Sequence, residues 1–65
     1  MDNSEILMDF FDNWRAVNLS RFCIECETTP QWMNSLRRGD NQPNKELVIR
    51  INKNLKKYGY GKRIK

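Results

Sequence analysis

Two cysteines have the spacing of redox and zinc sites, because Cys23 and Cys26 enclose two residues in a C-x-x-C pattern. A structural zinc ion needs four Cys or His ligands. The chain has no His and no further Cys, so zinc binding would need two chains. We expect no metal site and no cofactor, and we interpret both cysteines as small apolar residues packed inside a helix.

A second pair of chemical groups is Asp9 and Asp12, which lie about one helical turn apart. An open helix offers no pocket that would raise the pKa of either carboxyl. The sequence contains no Ser-His or Cys-His pair and no glycine-rich phosphate loop. A 65-residue chain buries only about 60% of its unfolded surface, which allows one modest core. We therefore expect neither catalysis nor a small-molecule ligand.

Charge is distributed unevenly along the chain. Lys and Arg number 12 against 8 Asp and Glu, which gives a net charge of +4. Residues 1–14 contain four acids and no base, whereas residues 45–65 contain eight bases and a single acid, Glu46. This asymmetry favours a polyanionic partner, although a merely solvated lysine-rich helix explains the charge equally well.

The spacing of apolar residues predicts an all-α fold, a compact bundle of four to five short helices. The first helix is expected over residues 4–16, with Ser4 as its N-cap. Asn18 is expected to cap a second, short helix that ends near Glu27. No stretch of the sequence has a convincing strand pattern.

Two further helices follow from capping residues. Thr29 can cap a third helix with Pro30 at its first position and Gly39 just beyond its end. Asn44 is expected to cap a fourth helix over residues 45–58, which Gly59 ends. We predict one domain over residues 1–60 and a short, basic, flexible tail over residues 61–65.

The two middle helices and the turn between them have a recognisable spacing. It reads Phe22-Cys23, three residues, Glu27-Thr28-Thr29, three residues, Met33-Asn34, two residues, Arg37, one residue, Gly39. The pattern resembles the helix-turn-helix of the lambda-repressor/Cro-like (XRE) family, which typically reads Leu-Ala, three residues, Gly-Val-Ser, three residues, Ile-Ser, two residues, Glu, one residue, Gly. The likeness covers roughly residues 4–58 without a gap.

Three positions depart from the family pattern. Glu27 stands where the turn glycine is usual, and a left-handed conformation costs a non-glycine residue about 1–2 kcal/mol. Thr28 replaces an apolar turn residue. Arg37 replaces a Glu that often pairs with an Arg on the first helix, and Asp12 occupies that Arg position here. We therefore predict a charge-swapped ion pair between Asp12 and Arg37, the alternative being that Arg37 contacts phosphate.

The resemblance implies that the first turns of the third helix face the bases of double-stranded DNA. The implied base-contacting residues are Pro30, Gln31, Trp32, Asn34 and Ser35. An amide can hydrogen-bond both N6 and N7 of adenine, so Gln31 is the best candidate. Trp32 is open to two interpretations, as a DNA contact or as a core residue.

Phosphate contacts are expected from the start of the second helix and from both sides of the loop after the third helix. The implied residues are Asn18, Leu19, Ser20, Arg21, Thr29, Arg38, Asn41, Gln42, Asn44 and Lys45. Arg38 is the strongest candidate among them.

The resemblance implies a sequence-specific transcriptional regulator, most simply a Cro-type repressor from a phage or mobile element. A homodimer on a pseudo-palindromic operator is expected, since one such domain covers about half a site. Candidate dimer contacts are Ile49, Tyr58, Tyr60 and Ile64. The alternative is a protein-interaction module that binds polymerase, a toxin or a host factor through the acidic first helix.

The sequence also predicts a cytoplasmic location. Its longest apolar runs are two or three residues, far from the roughly 18 that a membrane span needs. The acidic start lacks the basic and apolar regions of a secretory signal. Two cysteines in the whole chain suit a reducing compartment.

Overall fold

The computed structural model describes residues 1–65. All of its regular structure is helical, and it contains no strand. Helix α1 covers Asn3–Met8 and continues directly as a π-helical segment over Asp9–Trp14. Helices α2, α3 and α4 cover Leu19–Glu25, Pro30–Arg38 and Lys45–Tyr58. The expectation of a compact all-α fold is confirmed.

The start of α1 differs from the prediction. Asp2, not Ser4, is the N-cap: its carboxylate accepts from the Glu5 backbone N–H at 2.9 Å, and the Glu5 carboxylate accepts from the Asp2 N–H at 3.2 Å. This reciprocal capping box satisfies two free helix N–H groups. The Ser4 hydroxyl is then available for a tertiary contact and donates to the Arg37 carbonyl at 2.6 Å.

The first helix ends at Trp14 and not at Ala16 as expected, whereas the caps of the other helices are the predicted ones. The side chains of Asn18, Thr29 and Asn44 each accept from the backbone N–H three residues later, as N-caps do. Gly39 and Gly59 end α3 and α4 with φ values of 83° and 90°. Glycine has no Cβ and takes this left-handed conformation at little cost. Helix α2 is two residues shorter than expected.

The core is built around the Phe10 ring, which is fully buried. Within this cluster, ring-centroid distances from Phe10 are 4.9 Å to Phe22, 5.9 Å to Tyr58 and 5.1 Å to Tyr60. Such aromatic pairs contribute about 0.5–1.5 kcal/mol each beyond the burial of their area. Phe22 is fully buried as well, and the remaining fully buried side chains are aliphatic or sulfur-containing: Leu7, Cys23, Cys26, Met33, Leu36, Ile51, Leu55 and Ile64.

The C-terminal segment, residues 59–65, is packed against the domain, in contrast to the expected flexible tail. Ile64 is 1% exposed and belongs to the core. The Asn52 amide donates to the Ile64 carbonyl and accepts from the Ile64 N–H, both at 2.8 Å. The Asn3 amide pairs in the same way with the backbone of Lys65, at 2.6 and 2.8 Å.

Three of the four candidate dimer contacts lie inside the molecule. Tyr60 and Ile64 are buried, and Tyr58 is half-buried against Phe10. The apolar surface of Tyr60 and Ile64 is buried within one chain and is not accessible to a second copy, while that of Tyr58 is partly accessible. Ile49 is 62% exposed and is the one member of that group on the surface.

Two tyrosines hydrogen-bond carboxylates at the edge of the core. The Tyr58 hydroxyl donates to Glu25 at 2.6 Å, and the Tyr60 hydroxyl donates to Asp9. These hydrogen bonds favour the ionised carboxylates and hold the pKa values of Glu25 and Asp9 below their ordinary range, with Lys57 and Lys62 acting in the same direction. The pKa of Tyr60 is raised by burial and by the bond to Asp9.

We predict that Ile64→Ala lowers the free energy of unfolding by about 2–5 kcal/mol and Ile64→Val by about 0.5–1.5 kcal/mol, because both leave a cavity in the core. Arg63→Ala, at the exposed neighbouring position, is the control and should change stability by less than about 0.5 kcal/mol. Urea unfolding followed by circular dichroism measures all three. Equal stability of the Ile64 variants and the wild type would show that the segment does not pack.

We predict that Tyr58→Phe raises the pKa of Glu25 toward its ordinary value of 4.5, because the ring is kept and the donor is lost. A carboxyl whose folded pKa is lowered stabilises the fold above its unfolded pKa, and that contribution disappears as pH falls through the folded pKa. The variant should therefore lose more stability at neutral pH than in acid.

Carbon-13 NMR titration of the side-chain carboxyls measures this pKa directly. Asp9, whose donor is Tyr60, should titrate unchanged in Tyr58→Phe and is the internal control. In Tyr60→Phe, the pKa of Asp9 should rise and the titration of Glu25 should stay unchanged. An unchanged Glu25 titration in Tyr58→Phe would contradict the assignment.

Candidate functional site

The C-x-x-C pair lies in the core. Cys23 and Cys26 are both fully buried and free of disulfides. Burial raises the pKa of the Cys23 thiol and raises that of Cys26 to about 11. A thiol with a raised pKa is protonated at neutral pH and is a poor nucleophile or metal ligand. The two side chains act as small apolar residues, Cys23 on the inner face of α2 and Cys26 at its C-cap.

The turn between α2 and α3 has the hydrogen bonds of a Schellman motif. The Thr28 N–H donates to the Cys23 carbonyl at 2.9 Å, and the Glu27 N–H donates to the Ile24 carbonyl at 3.0 Å. Glu27 itself has a φ of 57°, the left-handed conformation usually taken by glycine. The turn thus has the left-handed backbone conformation that is usual for glycine. Glu27 has a Cβ, so this conformation is strained.

Two residues of α4 hold this turn in place, and no sequence pattern predicted their role. Arg50 Nε donates to the Cys26 carbonyl at 2.8 Å. The amide of Asn54, one helical turn along, donates to the Glu25 carbonyl at 3.2 Å. Both carbonyls lie at the end of α2, where helical hydrogen bonds run out. Their spacing of four residues places Arg50 and Asn54 on one side of α4. The spacing does not show that this side packs against the end of α2.

Helix α3 presents a polar row that we call the α3 stripe, formed by Gln31, Asn34 and Arg38. Their spacing of three and four residues places them on one side of the helix, away from the buried Met33 and Leu36. Gln31 and Arg38 are exposed, whereas Asn34 is half-buried, and its side-chain oxygen is buried without a hydrogen-bond donor. The helix contains no acidic residue.

The other three residues predicted to contact bases have different surroundings. Pro30 is exposed at the first position of α3. Trp32 is 40% exposed and lies outside the core cluster, so its interpretation as a core residue is wrong. Ser35 is 7% exposed and its hydroxyl accepts from the amide of Asn41, which folds back over it. Ser35 therefore does not face an incoming ligand as the prediction required.

The loop after α3 adds polar groups beside the stripe. Arg38 pairs with Asp40 at 3.0 Å, with side chains 61% and 60% exposed. An exposed pair of this kind contributes at most about 1 kcal/mol, so Arg38 can exchange Asp40 for another anion at little cost. The Gln42 side chain accepts from the Asn3 amide at 3.3 Å. Lys45 is exposed and forms no ion pair.

The three N-caps among the predicted phosphate contacts keep free donors. The side-chain oxygens of Asn18, Thr29 and Asn44 are engaged in capping, but their amide or hydroxyl hydrogens have no protein acceptor. The backbone N–H groups of Leu19 and Ser20 also donate to no protein acceptor, as is usual at a helix start. Arg21 is exposed, 4.0 Å from Glu25.

The predicted ion pair is present: Arg37 Nη1 lies 2.9 Å from Asp12 Oδ1. The same guanidinium lies 6.0 Å from the centre of the Phe11 ring. Together with the bond from Ser4 to the Arg37 carbonyl, this pair attaches the C-terminal half of α3 to the first helix. Its N-terminal half carries the exposed Pro30, Gln31 and Trp32.

Comparisons with protein-family models, curated proteins and solved structures found no match to this chain. No helix combines the length and hydropathy that spanning a membrane requires.

We predict that Glu27→Gly raises the free energy of unfolding by about 0.5–1 kcal/mol, since relief of the left-handed strain exceeds the added entropy of the unfolded chain. The ion pair that it removes, with Arg50 at 3.9 Å, is exposed and contributes little. Thermal and urea unfolding measure the change.

Two control variants accompany it. Glu27→Gln removes the charge and keeps the strain, so its stability should match the wild type. Glu46→Gly makes the same substitution inside α4 and should cost about 0.5–1 kcal/mol. A Glu27→Gly protein that is less stable than Glu27→Gln would contradict the strain argument.

Proposed function

We propose that this chain is a sequence-specific DNA-binding regulator of the lambda-repressor/Cro-like type, in which α2, the turn and α3 form a helix-turn-helix. One observation carries the proposal: the acid-free α3 exposes Gln31 and Arg38 of the α3 stripe, and it follows a tight turn whose backbone accommodates a glycine-like conformation. A recognition helix needs an uncovered side, and the absence of carboxylates on it avoids repulsion from the strongly negative DNA.

Base recognition in this proposal comes from the N-terminal half of α3. Gln31 is exposed and its amide can hydrogen-bond N6 and N7 of one adenine. Trp32 offers an apolar surface to a thymine methyl or to sugar, with Pro30 beside it. Asn34 lies one turn after Gln31 on the same stripe. The buried Ser35 is left out of the base contacts.

Phosphate contacts surround the stripe in this arrangement. Arg38 exchanges its exposed partner Asp40 for a phosphate, and Lys45 follows at the start of α4. The free donors of the three N-caps and the N–H groups of Leu19 and Ser20 extend the contact to both sides of α3. Contacts of this kind set the register of a protein on the duplex and carry no sequence information.

The regulator would act as a cytoplasmic repressor, binding as a homodimer to half-sites about one helical turn apart. Of the residues considered for dimerisation, Ile49 is the one on the surface. A single copy covers few base pairs, and a pair of copies doubles the recognised sequence.

The second candidate function is a protein-interaction module. Its supporting observation is Met8, an exposed apolar side chain on the acidic first helix. Met8 and Asp12 line a shallow cleft together with Arg37, Arg38 and Asp40. A partner with an apolar anchor for Met8 and polar groups for the ion pairs beside it would suit this surface, and binding there would not depend on Gln31.

We predict that the protein selects a preferred site from randomised duplexes and binds it about 10³-fold or more tighter than a scrambled duplex. Gln31→Ala should cost about 1–3 kcal/mol on the selected site and little on the scrambled one. Arg38→Ala should weaken binding to both duplexes. It should also lower the salt slope, which is the slope of the logarithm of the binding constant against the logarithm of the salt concentration, by about 1 in magnitude. Fluorescence anisotropy across a salt series measures these effects.

Asn13→Ala and Arg15→Ala are the matched controls, because both residues are exposed and lie at the end of the first helix, outside α2 and α3. Circular dichroism melting checks that each variant folds. Equal binding to selected and scrambled DNA, or wild-type binding by both the Gln31 and Arg38 variants, would refute the DNA proposal. Capture of a protein through Met8 and Asp12 would then favour the second candidate.

A further inference from the structure

A cleft of about 440 Å³ lies between the second half of α4 and the C-terminal segment. The bonds of Asn52 to Ile64 and of Asn3 to Lys65 hold this segment against the domain. The cleft is lined by Asn52, Lys56, Tyr60, Gly61, Lys62 and Arg63. None of these residues belongs to α2, α3 or the loop between α3 and α4.

All the charged side chains that line the cleft are positive. Lys56, Lys62 and Arg63 contribute three cations, and the lining includes no carboxylate. Lys56 and Arg63 form no ion pair with any acid of the chain. Lys62 has one, with Asp9 at 3.6 Å, and about half of its side chain remains exposed. An anion that enters the cleft therefore displaces no buried ion pair.

The backbone of the same segment also has unused donors. The N–H groups of Gly61, Lys62 and Arg63 donate to no acceptor in the protein. The amides on either side are satisfied, since the Tyr60 N–H donates to the Leu55 carbonyl and the Ile64 N–H donates to Asn52. Three consecutive exposed residues, 61–63, thus have backbone N–H groups without a protein acceptor. They lie next to the three cationic side chains of the cleft and can donate to a ligand.

We propose that this cleft binds a phosphate group. Arginine presents a planar fork that matches phosphate geometry, and lysine adds a compact charge. Phosphate has several oxygen acceptors and up to two charges, which fits three cations and free amides better than a single carboxylate does. The phosphate can belong to a nucleic-acid backbone or to a free phosphate or nucleotide, and the site is separate from the α3 stripe.

The first experiment uses inorganic phosphate as the probe. The protein, labelled with nitrogen-15, is titrated with sodium phosphate at constant ionic strength and pH, with sodium chloride as the reference titration. We expect saturable shifts of the amide signals of residues 61–63. In the variant that combines Lys56→Gln and Arg63→Gln, affinity should fall about tenfold or more, because two charge-assisted contacts are lost.

The matched control is Lys53→Gln, which removes an exposed lysine of the same helix that does not line this cleft. It should bind phosphate like the wild type. Shifts that grow linearly, equal those in chloride, or persist unchanged in the double variant would overturn the proposal. Thermal melting confirms that each variant is folded before titration.

A second arm identifies the source of the phosphate. If the cleft binds a DNA phosphate, duplex binding by the Lys56→Gln, Arg63→Gln double variant should have a salt slope smaller by about 1–2 than that of the wild type. Lys53→Gln should reduce the slope less. An unchanged slope together with saturable phosphate binding assigns the cleft to a free phosphate or nucleotide. The phosphate titration needs no DNA, so it stands or falls independently of the proposed function.

Discussion

The Phe10 ring joins the first helix to α2, to α4 and to the C-terminal segment. It meets Phe22 from α2, Tyr58 from α4 and Tyr60 from the C-terminal segment, at centroid distances of 4.9, 5.9 and 5.1 Å. A 65-residue chain has little apolar surface to bury, so one large ring shared by four segments replaces several separate contacts. The turn before α3 and the basic cleft are both positioned relative to this ring.

Polar contacts at helix ends then set the directions of the helices. Arg50 and Asn54 bind the last carbonyls of α2, and Ser4 and Asp12 bind Arg37 near the end of α3. Each contact satisfies a group that the helix itself leaves free or neutralises a charge at its end. The N-terminal half of α3 receives no such contact and remains available at the surface.

The features that could be predicted from sequence are the local ones. Asn44 and Gly59 define the bounds of α4 because capping depends on residues within one turn. Ser4 was a plausible cap, but Asp2 forms a capping box and Ser4 has a partner 33 residues away. The burial of Ile64 depends on Asn52, and that of Ser35 on a loop that folds back. Spacing alone carries no information about such tertiary partners.

The contacts of Ser4 and Asp12 with Arg37 attach the C-terminal half of α3 to the first helix. They fix the orientation of α3 in the unbound protein. Little conformational entropy is then lost from α3 on binding, which favours affinity. If α3 enters a major groove as proposed, the duplex must bend or twist wherever the orientation of α3 does not match the groove. Sequences with flexible pyrimidine–purine steps would deform most cheaply, so part of the recognition would come from base pairs that no side chain touches.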